Sequence, residues 1–246
     1  MNSPTPGINP WVTAVERVSK PVFRLEADPH CGSSVAISCA QSPKLPGYAL
    51  MLATANHVVK DRNPQSILRL TSADGSIVLT SEENRIVVVP PSLPEYDIAL
   101  VIVRSSRPVI QPTDLLPLLD QQFYPPRGAE LGWLGFPIIT WPELCFFRGS
   151  LSGYVHDPPG YLIDGVSIHG VSGGPAFNMD GDIFAVVQSC LPNSTKQPLT
   201  LPGLMGAVPV ANLDQWMSQN LKASAIPPAT KPLTSRLRKN LKRING

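Results

Sequence analysis

The sequence predicts an all-β protein made of many short strands, on three observations. The chain of 246 residues contains 28 prolines and 18 glycines, which interrupt helix interiors and central strands and argue against a helical bundle. Apolar residues make up 43% of the chain, enough for a core, which excludes a wholly disordered protein. Strand-like runs recur at a spacing of about 8–12 residues, which is typical of a barrel or sandwich.

A helix and a first set of strands are predicted in the first half of the chain. Asn9-Pro10 begins a short helix over 10–18, because proline near a helix start removes no N–H that the helix needs. Ala73-Asp74-Gly75 is predicted as a hairpin turn between two of the strands that follow. Seven strand-like runs occur by residue 103, at 22–25, 35–38, 48–54, 67–71, 76–80, 85–89 and 98–103, and we expect a unit of about six strands from them.

A second set of strands and a closing helix follow a proline-rich connector. The strands, again about six, are predicted at 130–134, 145–152, 161–164, 175–178, 183–188 and 203–208. Residues 209–221 form a predicted helix whose apolar face carries Leu213, Trp216, Met217 and Leu221. The predicted divisions are an N-terminal arm with its helix (1–19), a first β unit (20–110), the connector (111–128), a second β unit (129–208), the closing helix (209–221) and a tail (222–246).

Composition predicts a cytoplasmic protein. No apolar run reaches the roughly 18 residues that span a bilayer, and the first ten residues lack the basic end and apolar stretch of a secretory signal. The four cysteines show no CxxC spacing, so neither a zinc site nor a disulfide framework is expected, which favours a reducing compartment. A mature piece cut from a longer precursor stays open as an alternative.

Charge is distributed unevenly along the chain. Seven of the 20 basic residues and none of the 18 acidic ones lie in 222–246, so the tail carries +7 and the rest of the chain −5. Leu233, Leu237 and Leu241 lie among these basic residues at the spacing of an amphipathic helix. Such a helix could contact an acidic partner, an anionic lipid surface or nucleic acid; the alternative is a frayed, solubilising tail. No specific nucleic acid is predicted as a partner.

The segment GVSGGP at 170–175 carries the strongest chemical signal. A serine hydroxyl becomes a nucleophile when a base takes its proton, and Ser172 is the serine in this segment. The surrounding glycines allow a tight turn that points the N–H groups of Gly170 and Ser172 at one spot, which is an oxyanion hole for a carbonyl under attack. The alternative is a glycine-rich turn between two strands without a chemical role.

Two further motifs supply a base and an acid. In TANHVV at 54–59, His57 directly follows an apolar run, so it lies at a strand end where it can act as a base near neutral pH. In YDIAL at 96–100, Asp97 enters an apolar strand and needs a partner, because a lone buried carboxylate is costly. By accepting the imidazole N–H it would orient His57 and stabilise the charged ring. The alternatives are a satisfied surface or core histidine and a strand-capping aspartate.

These motifs, in the order His57, Asp97, Ser172, resemble the histidine, aspartate and serine boxes of the chymotrypsin/trypsin-fold serine peptidases. Patterns of the HtrA-type and other bacterial trypsin-like peptidases are similar to three more segments, GSSVAI at 32–37, GFP at 135–137 and RGSLSG at 148–153. No segment resembles a PDZ domain. The resemblance implies two six-stranded antiparallel Greek-key β-barrels, a short N-terminal helix, a C-terminal helix, and a catalytic triad in the cleft between the barrels.

Two positions depart from the pattern of the secreted trypsin relatives. Those relatives have an aspartate just before the serine, which pairs with a newly cut N-terminus; this chain has Val171, which cannot form that ion pair. They also have a cysteine after the histidine, where this chain has Val58, so the corresponding disulfide is absent. Both departures favour an intracellular enzyme that needs no N-terminal processing.

The resemblance also implies which residues line the first specificity pocket. They are Val166, Ser167, Ile168, His169, Gln188, Ser189, Cys190 and Gly203. No acid lies among them, so a lysine or arginine side chain would enter unpaired at a cost of several kcal/mol. Val166 and Cys190 favour an uncharged side chain of modest size. For Cys190 itself, the two interpretations are a buried inert cysteine and a reactive thiol.

The predicted function is a serine endopeptidase with a polypeptide substrate and neither a metal nor an organic cofactor. Ser172 attacks the scissile carbonyl, His57 moves the proton and Asp97 orients His57. The N–H groups of Gly170 and Ser172 hold the oxyanion, and the extended substrate pairs with the strand edge near Gln188–Cys190. A regulatory protein partner is expected, because a cytoplasmic protease must be restrained. The alternatives are a catalytically restrained binding module on the same fold and an adaptor that acts through the basic tail.

Overall fold

The structure is a computed structural model that describes residues 9–41, 47–89, 97–116, 125–156, 159–166, 168–188 and 204–205. These residues belong to one compact unit spanning Met1–Leu213 and contain two antiparallel β-sheets with few helices. The helices are α1 (Pro10–Ser19) and α2 (Asn56–Val59), and short 3₁₀ turns occur at Pro112–Asp114 and Ile138–Thr140. The all-β prediction is therefore confirmed.

The first sheet contains seven strands among the described residues. They are β1 (Val22–Ala27), β2 (His30–Gln41), β3 (Tyr48–Ala55), β4 (Arg69–Ser72), β5 (Val78–Thr80), β6 (Arg85–Val89) and β7 (Ile98–Ser105). Their order in the sheet is β5-β4-β1-β2-β3-β7-β6. Strands β1, β2 and β3 form a meander and β4 returns to pair with β1, which is a Greek key.

The second sheet contains six strands in the described part of the chain. They are β8 (Glu130–Gly135), β9 (Cys145–His156), β10 (Pro159–Asp164), β11 (Pro175–Phe177), β12 (Ile183–Val186) and β13 (Leu204–Met205). Their order is β12-β11-β8-β9-β10-β13. Here β8, β9 and β10 form the meander and β11 returns beside β8, so the Greek key is repeated.

The two sheets have the same strand order once β6 is set aside. Numbered within each sheet, the strands run 5-4-1-2-3-6, where β7 is the sixth strand of the first sheet and β13 the sixth of the second. The first sheet then has a seventh strand, β6, which pairs with β7 at the sheet edge. This strand coincides with the predicted run at 85–89, so the difference from the prediction lies in the count and not in the position.

Each sheet packs around its own apolar core. In the first sheet, β3 and β7 are neighbours that are buried along most of their length, because both are near-continuous apolar runs. In the second sheet, aromatic rings dominate: Trp133 stacks on Phe147 with centroids 6.2 Å apart, and Tyr161 meets Phe184 edge-on at 5.4 Å. Separate cores allow each sheet to position its own part of the site.

Helix α1 packs against the second sheet although it precedes the first in sequence. The Asn9 side chain accepts the Trp11 N–H at 3.0 Å and so caps the helix. The Trp11 ring lies 5.5 Å from that of Phe146 and 5.9 Å from that of Phe177, and its indole N–H donates to Glu130 at 3.3 Å. The helix predicted over 10–18 is thus present, and it ties the segment directly before β1 to the second sheet.

Several predictions fall outside the described residues or differ from the structure. The closing helix at 209–221 and the tail at 222–246 lie outside, as does the strand at 203–208 except for Leu204–Met205. The short helix α2 was not predicted; β3 ends at Ala55 and one helical turn follows it. The domain divisions stay predictions. Among the described residues, no helix is long and apolar enough to cross a membrane.

Candidate active site

His57 and Asp97 lie at the ends of two neighbouring strands. Strand β3 pairs with β7 in antiparallel register, with Ala55 opposite Ile98. The residue after β3 begins helix α2, so His57 is the second residue of that helix, and Asp97 immediately precedes β7. Strand pairing therefore brings together two residues that are 40 positions apart in sequence.

Three hydrogen bonds join these two segments. His57 Nδ1 lies 2.5 Å from Asp97 Oδ2, the backbone N–H of His57 donates to Asp97 Oδ1 at 2.7 Å, and the N–H of Asn56 donates to the Asp97 carbonyl at 3.1 Å. In the neutral ring, Nδ1 carries the hydrogen that bonds the carboxylate, so Nε2 is the nitrogen left to accept a proton. The two side chains are 36% and 29% exposed, so the pair is only partly shielded from water.

Ser172 lies in a tight loop between β10 and β11. The N–H of Val171 donates to the Ile168 carbonyl at 3.1 Å, and the N–H of Gly174 donates to the Val171 carbonyl at 3.0 Å. Two successive turns therefore close around Val171, whose side chain is fully buried in the second core. This apolar anchor holds the residue directly before Ser172 in place. We call residues 168–174 the serine loop.

The backbone of the serine loop requires glycine at two positions. Gly170 and Gly173 have φ angles of +97° and +91°, a region that residues with a side chain rarely adopt. A Cβ on Gly173 would also stand 1.9 Å from the Ser33 carbonyl oxygen, and one on Gly170 would stand 2.2 Å from that of Phe136. The Gly173 N–H donates to the Val187 carbonyl at 2.7 Å. The glycines thus allow close packing against several segments.

Contacts with β2 and β3 hold the serine loop next to the segment that carries His57. The N–H of Ser33 on β2 donates to the Ser172 carbonyl at 2.8 Å, and the Thr54 hydroxyl on β3 donates to the Ser33 carbonyl at 2.7 Å. A Cβ on Gly173 would lie 2.4 Å from the same Thr54 hydroxyl. The serine loop therefore abuts the end of β3, just before His57.

The residues predicted as base and nucleophile are not hydrogen-bonded to each other in the described part of the chain. Within the described residues, the structure records no hydrogen bond between the Ser172 hydroxyl and the His57 imidazole, whereas the imidazole is bonded to Asp97. Such bonds are often long in enzymes without substrate and tighten in the complex. The structure thus contains the His57–Asp97 pair and places the serine loop against the end of β3. The Ser172 hydroxyl is not hydrogen-bonded to His57 in the described residues.

The N–H groups of Gly170 and Ser172 have no acceptor in the described part of the chain. The carbonyl of His169 accepts the Ile138 N–H at 2.8 Å, and the carbonyl of Val171 is bonded within the loop. Because the C=O and N–H of a trans peptide point in opposite directions, the next N–H in each case points away from that partner. Neither N–H is therefore used within the described residues, as the predicted oxyanion hole requires.

A family model for the trypsin-like peptidase domain matches residues 39–186, more than half of the chain. The chain belongs to this family. The crystal structure of the serine endoprotease from Yersinia pestis has the same fold, with a TM-score of 0.61 at 18% sequence identity over 90% of this chain and 68% of that one. No curated protein sequence matches the chain. The predicted resemblance to trypsin-like serine peptidases and the two-barrel fold are thereby confirmed.

The predicted residues of the specificity pocket lie only partly within the described part of the chain. Val166 is 60% exposed, His169 is exposed, and Gln188, just after β12, is buried. Ile168 packs on the second core. The other predicted pocket residues, Ser167, Ser189, Cys190 and Gly203, lie outside the described residues. The composition of the pocket therefore stays a prediction.

An open cavity of about 560 Å³, which was not predicted, is lined mainly by residues of the first sheet and by the segment after β8. Its lining includes Glu26, Cys31, Trp141 and Ile138, the residue whose N–H binds the loop at His169. Burial, followed by the nearby Glu26 carboxylate, raises the pKa of the Cys31 thiol, so this thiol is protonated and a poor nucleophile at neutral pH. No group of three or more His, Cys, Asp or Glu side chains that could hold a metal ion occurs in the described ranges.

Two buried hydroxyls that support the site were not predicted as site residues. Both are fully buried: the Ser33 hydroxyl bonds the serine loop at the Gly170 carbonyl, and the Thr54 hydroxyl bonds the Ser33 carbonyl on the neighbouring strand. Each is a polar residue in or beside an apolar strand, and a buried hydroxyl requires a hydrogen-bond partner. This requirement could have identified Ser33 and Thr54 in the sequence as residues that bond other segments. The identity of the partners could not be predicted, because these lie on other strands and on a distant loop.

Proposed function

We propose that this chain is a serine endopeptidase in which Ser172 is the nucleophile, His57 the general base and Asp97 the group that orients His57. The observation that carries the proposal is the 2.5 Å contact between His57 Nδ1 and Asp97 Oδ2 in a trypsin-like peptidase domain whose serine loop abuts the same strand end. A carboxylate that bonds both the ring and the backbone N–H of a histidine fixes its tautomer and orientation, which a base requires.

In the acylation half-reaction, Ser172 Oγ attacks the carbonyl carbon of the scissile peptide bond and its proton passes to His57 Nε2. The Asp97 carboxylate stabilises the resulting imidazolium. The N–H groups of Gly170 and Ser172 hold the charge on the former carbonyl oxygen, and each such donor contributes about 10²–10³ in rate. The intermediate collapses as the C–N bond breaks and His57 gives its proton to the leaving amine, which leaves an acyl-serine.

In the deacylation half-reaction, water takes the place of the amine. His57 Nε2 accepts a proton from water while the hydroxide oxygen adds to the ester carbonyl, and the same N–H groups hold the second oxyanion. The C–O bond to Ser172 then breaks, and the proton on His57 returns to Oγ. One water is consumed, and a carboxylic acid and an amine are formed for each peptide bond cleaved.

Labelling with a fluorophosphonate tests the proposed nucleophile, since this probe reacts with a serine that a base activates. We expect one label per chain at Ser172, none in Ser172→Ala and strongly reduced labelling in His57→Ala. The control is Ser76→Ala, which removes a hydroxyl bonded to Asp74 in an exposed turn of the first sheet and should label like the natural chain. A folded chain that resists the probe and cleaves no peptide would contradict the proposal.

The substrate preference is a finer part of the proposal. We propose cleavage after small or medium-sized uncharged residues, because the predicted pocket contains Val166 and Cys190 and no acid that could pair with a basic side chain. Cleavage sites in a peptide library provide the measurement. A clear preference for arginine or lysine before the cleaved bond would contradict this part while leaving the proposed reaction intact.

A second candidate is a catalytically restrained binding module on the same fold. It is favoured by the open contact between the Ser172 hydroxyl and the His57 imidazole in the described part of the chain. Such a module would bind peptides without cleaving them. Saturable peptide binding by calorimetry, with neither turnover nor fluorophosphonate labelling, would favour this function over the enzyme.

The cellular location of the enzyme and its partners are a further part of the proposal. We propose a cytoplasmic protein that a protein partner restrains, with the basic tail at 222–246 as a contact for an acidic partner or an anionic surface. The support is the +7 charge of the tail beside a chain body of −5. Binding to anionic vesicles or to an acidic protein should weaken with salt and disappear when the tail is removed. Binding that survives removal of the tail would contradict this role.

A further inference from the structure

Ser33 on β2 is fully buried, and each of its polar groups is hydrogen-bonded to another segment. Its N–H donates to the Ser172 carbonyl at 2.8 Å and its carbonyl accepts the Thr54 hydroxyl at 2.7 Å. Its hydroxyl donates to the Gly170 carbonyl at 2.8 Å and accepts the Phe136 N–H at 2.9 Å. One residue of the first sheet thus holds both the serine loop and the segment after β8.

The Ser33 hydroxyl acts next to one of the two proposed oxyanion donors. Gly170 has a peptide group on each side of its Cα and a φ of +97° between them. The Ile138 N–H holds the preceding peptide through the His169 carbonyl, and the Ser33 hydroxyl holds the following one through the Gly170 carbonyl. The Gly170 N–H belongs to the preceding peptide, which the Ile138 bond orients, and the Ser33 bond holds the peptide on the other side of the Gly170 Cα, so the two bonds together set the direction of this N–H.

The packing leaves no substitute for this hydroxyl. Gly170 is buried, and the next side chain, Val171, is fully buried and apolar, so neither offers the Gly170 carbonyl another donor. A Cβ on Gly135 would lie only 2.9 Å from Ser33 Oγ, so little room surrounds the hydroxyl. A buried carbonyl that loses its donor is strongly disfavoured. Without the hydroxyl, the peptide between Gly170 and Val171 keeps only the bond from the Val171 N–H to the Ile168 carbonyl. Rotation of this peptide is then the available relief, and it shifts the Gly170 Cα together with its N–H.

We propose that Ser33 is a positioning residue of the oxyanion hole: its hydroxyl holds the Gly170 carbonyl, and through it the Gly170 Cα, so that the Gly170 N–H is directed at the substrate oxygen. This inference rests on the proposed peptidase function. Ser33 itself is buried and does not reach the substrate. Its effect is largest when negative charge develops on the oxygen, so it acts on kcat and on transition-state analogues more than on KM.

Ser33→Ala is tested against a matched control, Ser34→Ala. Ser34 is the next residue, equally buried, and its hydroxyl donates to the Phe23 carbonyl at 3.3 Å within the first sheet. With one peptide substrate we expect Ser33→Ala to lower kcat by about 10- to 100-fold, since removal of a whole oxyanion donor costs about 10²–10³. The KM of Ser33→Ala should stay within about twofold of that of the natural chain. The kcat and KM of Ser34→Ala should both stay within about twofold as well.

Two ligands separate positioning from a general loss of structure. A peptide trifluoromethyl ketone forms an oxyanion when Ser172 adds to it, so its affinity for Ser33→Ala should fall by the same factor as kcat. The affinity for the cleaved product peptide should change by less than about twofold. A kcat of Ser33→Ala equal to that of Ser34→Ala, or a lower kcat with unchanged ketone affinity, would overturn the inference.

A readout without turnover separates this inference from the proposed function. We expect Ser33→Ala to shift and broaden the backbone amide resonance of Gly170, and Ser34→Ala to leave it in place. If the natural chain cleaves nothing while Gly170 responds only to Ser33→Ala, the proposed function fails and the positioning role stands. If Gly170 responds to neither change, the positioning role fails. Should Ser33→Ala not fold, Ser33→Cys replaces it with a weak donor of similar size, and a smaller loss of kcat is expected.

Discussion

The two sheets share one strand order, but they fix their parts of the candidate site by different means. The first sheet holds His57 and Asp97 through the register of β3 and β7 and through a charged side chain, with both side chains partly exposed. The second sheet holds Ser172 in a loop built from glycines, backbone hydrogen bonds and the buried Val171. The half of the site that holds His57 and Asp97 depends on charge, and the half that holds Ser172 depends on close packing around glycines.

This difference predicts two classes of mutational effect. Changes to the first half should leave the fold intact and alter the chemistry, because partly exposed polar groups contribute little to the core. Changes to the glycines and the buried Val171 of the second half should disturb packing and stability together with activity, because the serine loop has no free space around its glycines. The following experiments test that separation, beginning with the largest expected effect.

Removal of either reacting group gives the largest loss. Ser172→Ala and His57→Ala should each lower kcat on an optimised peptide by about 10⁶-fold, because in such sites the nucleophile and base act as a unit. Circular dichroism and thermal unfolding should match those of the natural chain. Near-natural turnover by folded Ser172→Ala would end the serine-peptidase interpretation.

Asp97→Asn should lower kcat by about 10⁴-fold, because an amide in place of the carboxylate favours the wrong imidazole tautomer. The matched control is Asp74→Asn, which neutralises a carboxylate of the same sheet. Hydrogen bonds from Ser72 and Ser76 lower the pKa of Asp74, so this group favours the folded state above its ordinary pKa and loses that effect as the pH falls through the lowered one. The kcat of Asp74→Asn should equal that of the natural chain. A kcat of Asp97→Asn within tenfold of the natural value would show that the pair is structural.

Gly173→Ala tests the dependence of the second half on volume. A Cβ there would stand 1.9 Å from the Ser33 carbonyl oxygen and would occupy a positive φ, so we expect a loss of about 3–5 kcal/mol in the free energy of unfolding together with a large loss of kcat. The control is Gly75→Ala, whose φ is +72° but whose Cβ would meet nothing within 4 Å. It should lose only about 1–2 kcal/mol. Equal losses in urea unfolding would mean that the backbone conformation, not the close contact, sets the cost.

The same division explains how much could be predicted from the sequence. The strands were predicted because apolar runs such as 48–54 and 98–103 carry their signal locally, and the glycines of GVSGGP indicated a tight loop for the same reason. The contact between His57 and Asp97 was expected from the need of Asp97 for a partner and from the resemblance to the serine peptidases. Both belong to the half of the site that strand register builds.

The remaining features depend on contacts between distant segments. The bond from Ser33 to Gly170 links two sheets, and nothing in either local sequence specifies it. The same holds for helix α1, which packs through Trp11 on the second sheet, and for helix α2, a single turn whose start is set by the Asn56 bond to Asp97. Tertiary contacts of this kind override local preference and require the fold itself.

The smallest expected effect concerns the N-terminus, and it tests whether the serine loop is held by packing or by charge. Val171 is fully buried among apolar residues of the second core, and a Cβ on Gly135 would lie 2.7 Å from its Cα, so no space remains for an ion pair beside it. The loop is held instead by the Ser33 bonds described above. A chain extended at its N-terminus should therefore have a kcat/KM within about twofold of that of the unextended chain.

The pH profile tests the same point without any change of sequence. An N-terminal amine that paired with the loop would have a raised pKa, so its stabilisation would be complete at low pH and lost as the pH rose above about 8. We expect acetylation of the N-terminus to leave the stability of the chain above about pH 8 unchanged. The converse substitution, Val171→Asp, would bury a lone carboxylate at a cost of several kcal/mol and should destabilise the chain whatever its N-terminus. Activity that appears only after cleavage near the N-terminus would show that charge, not packing, assembles the serine loop.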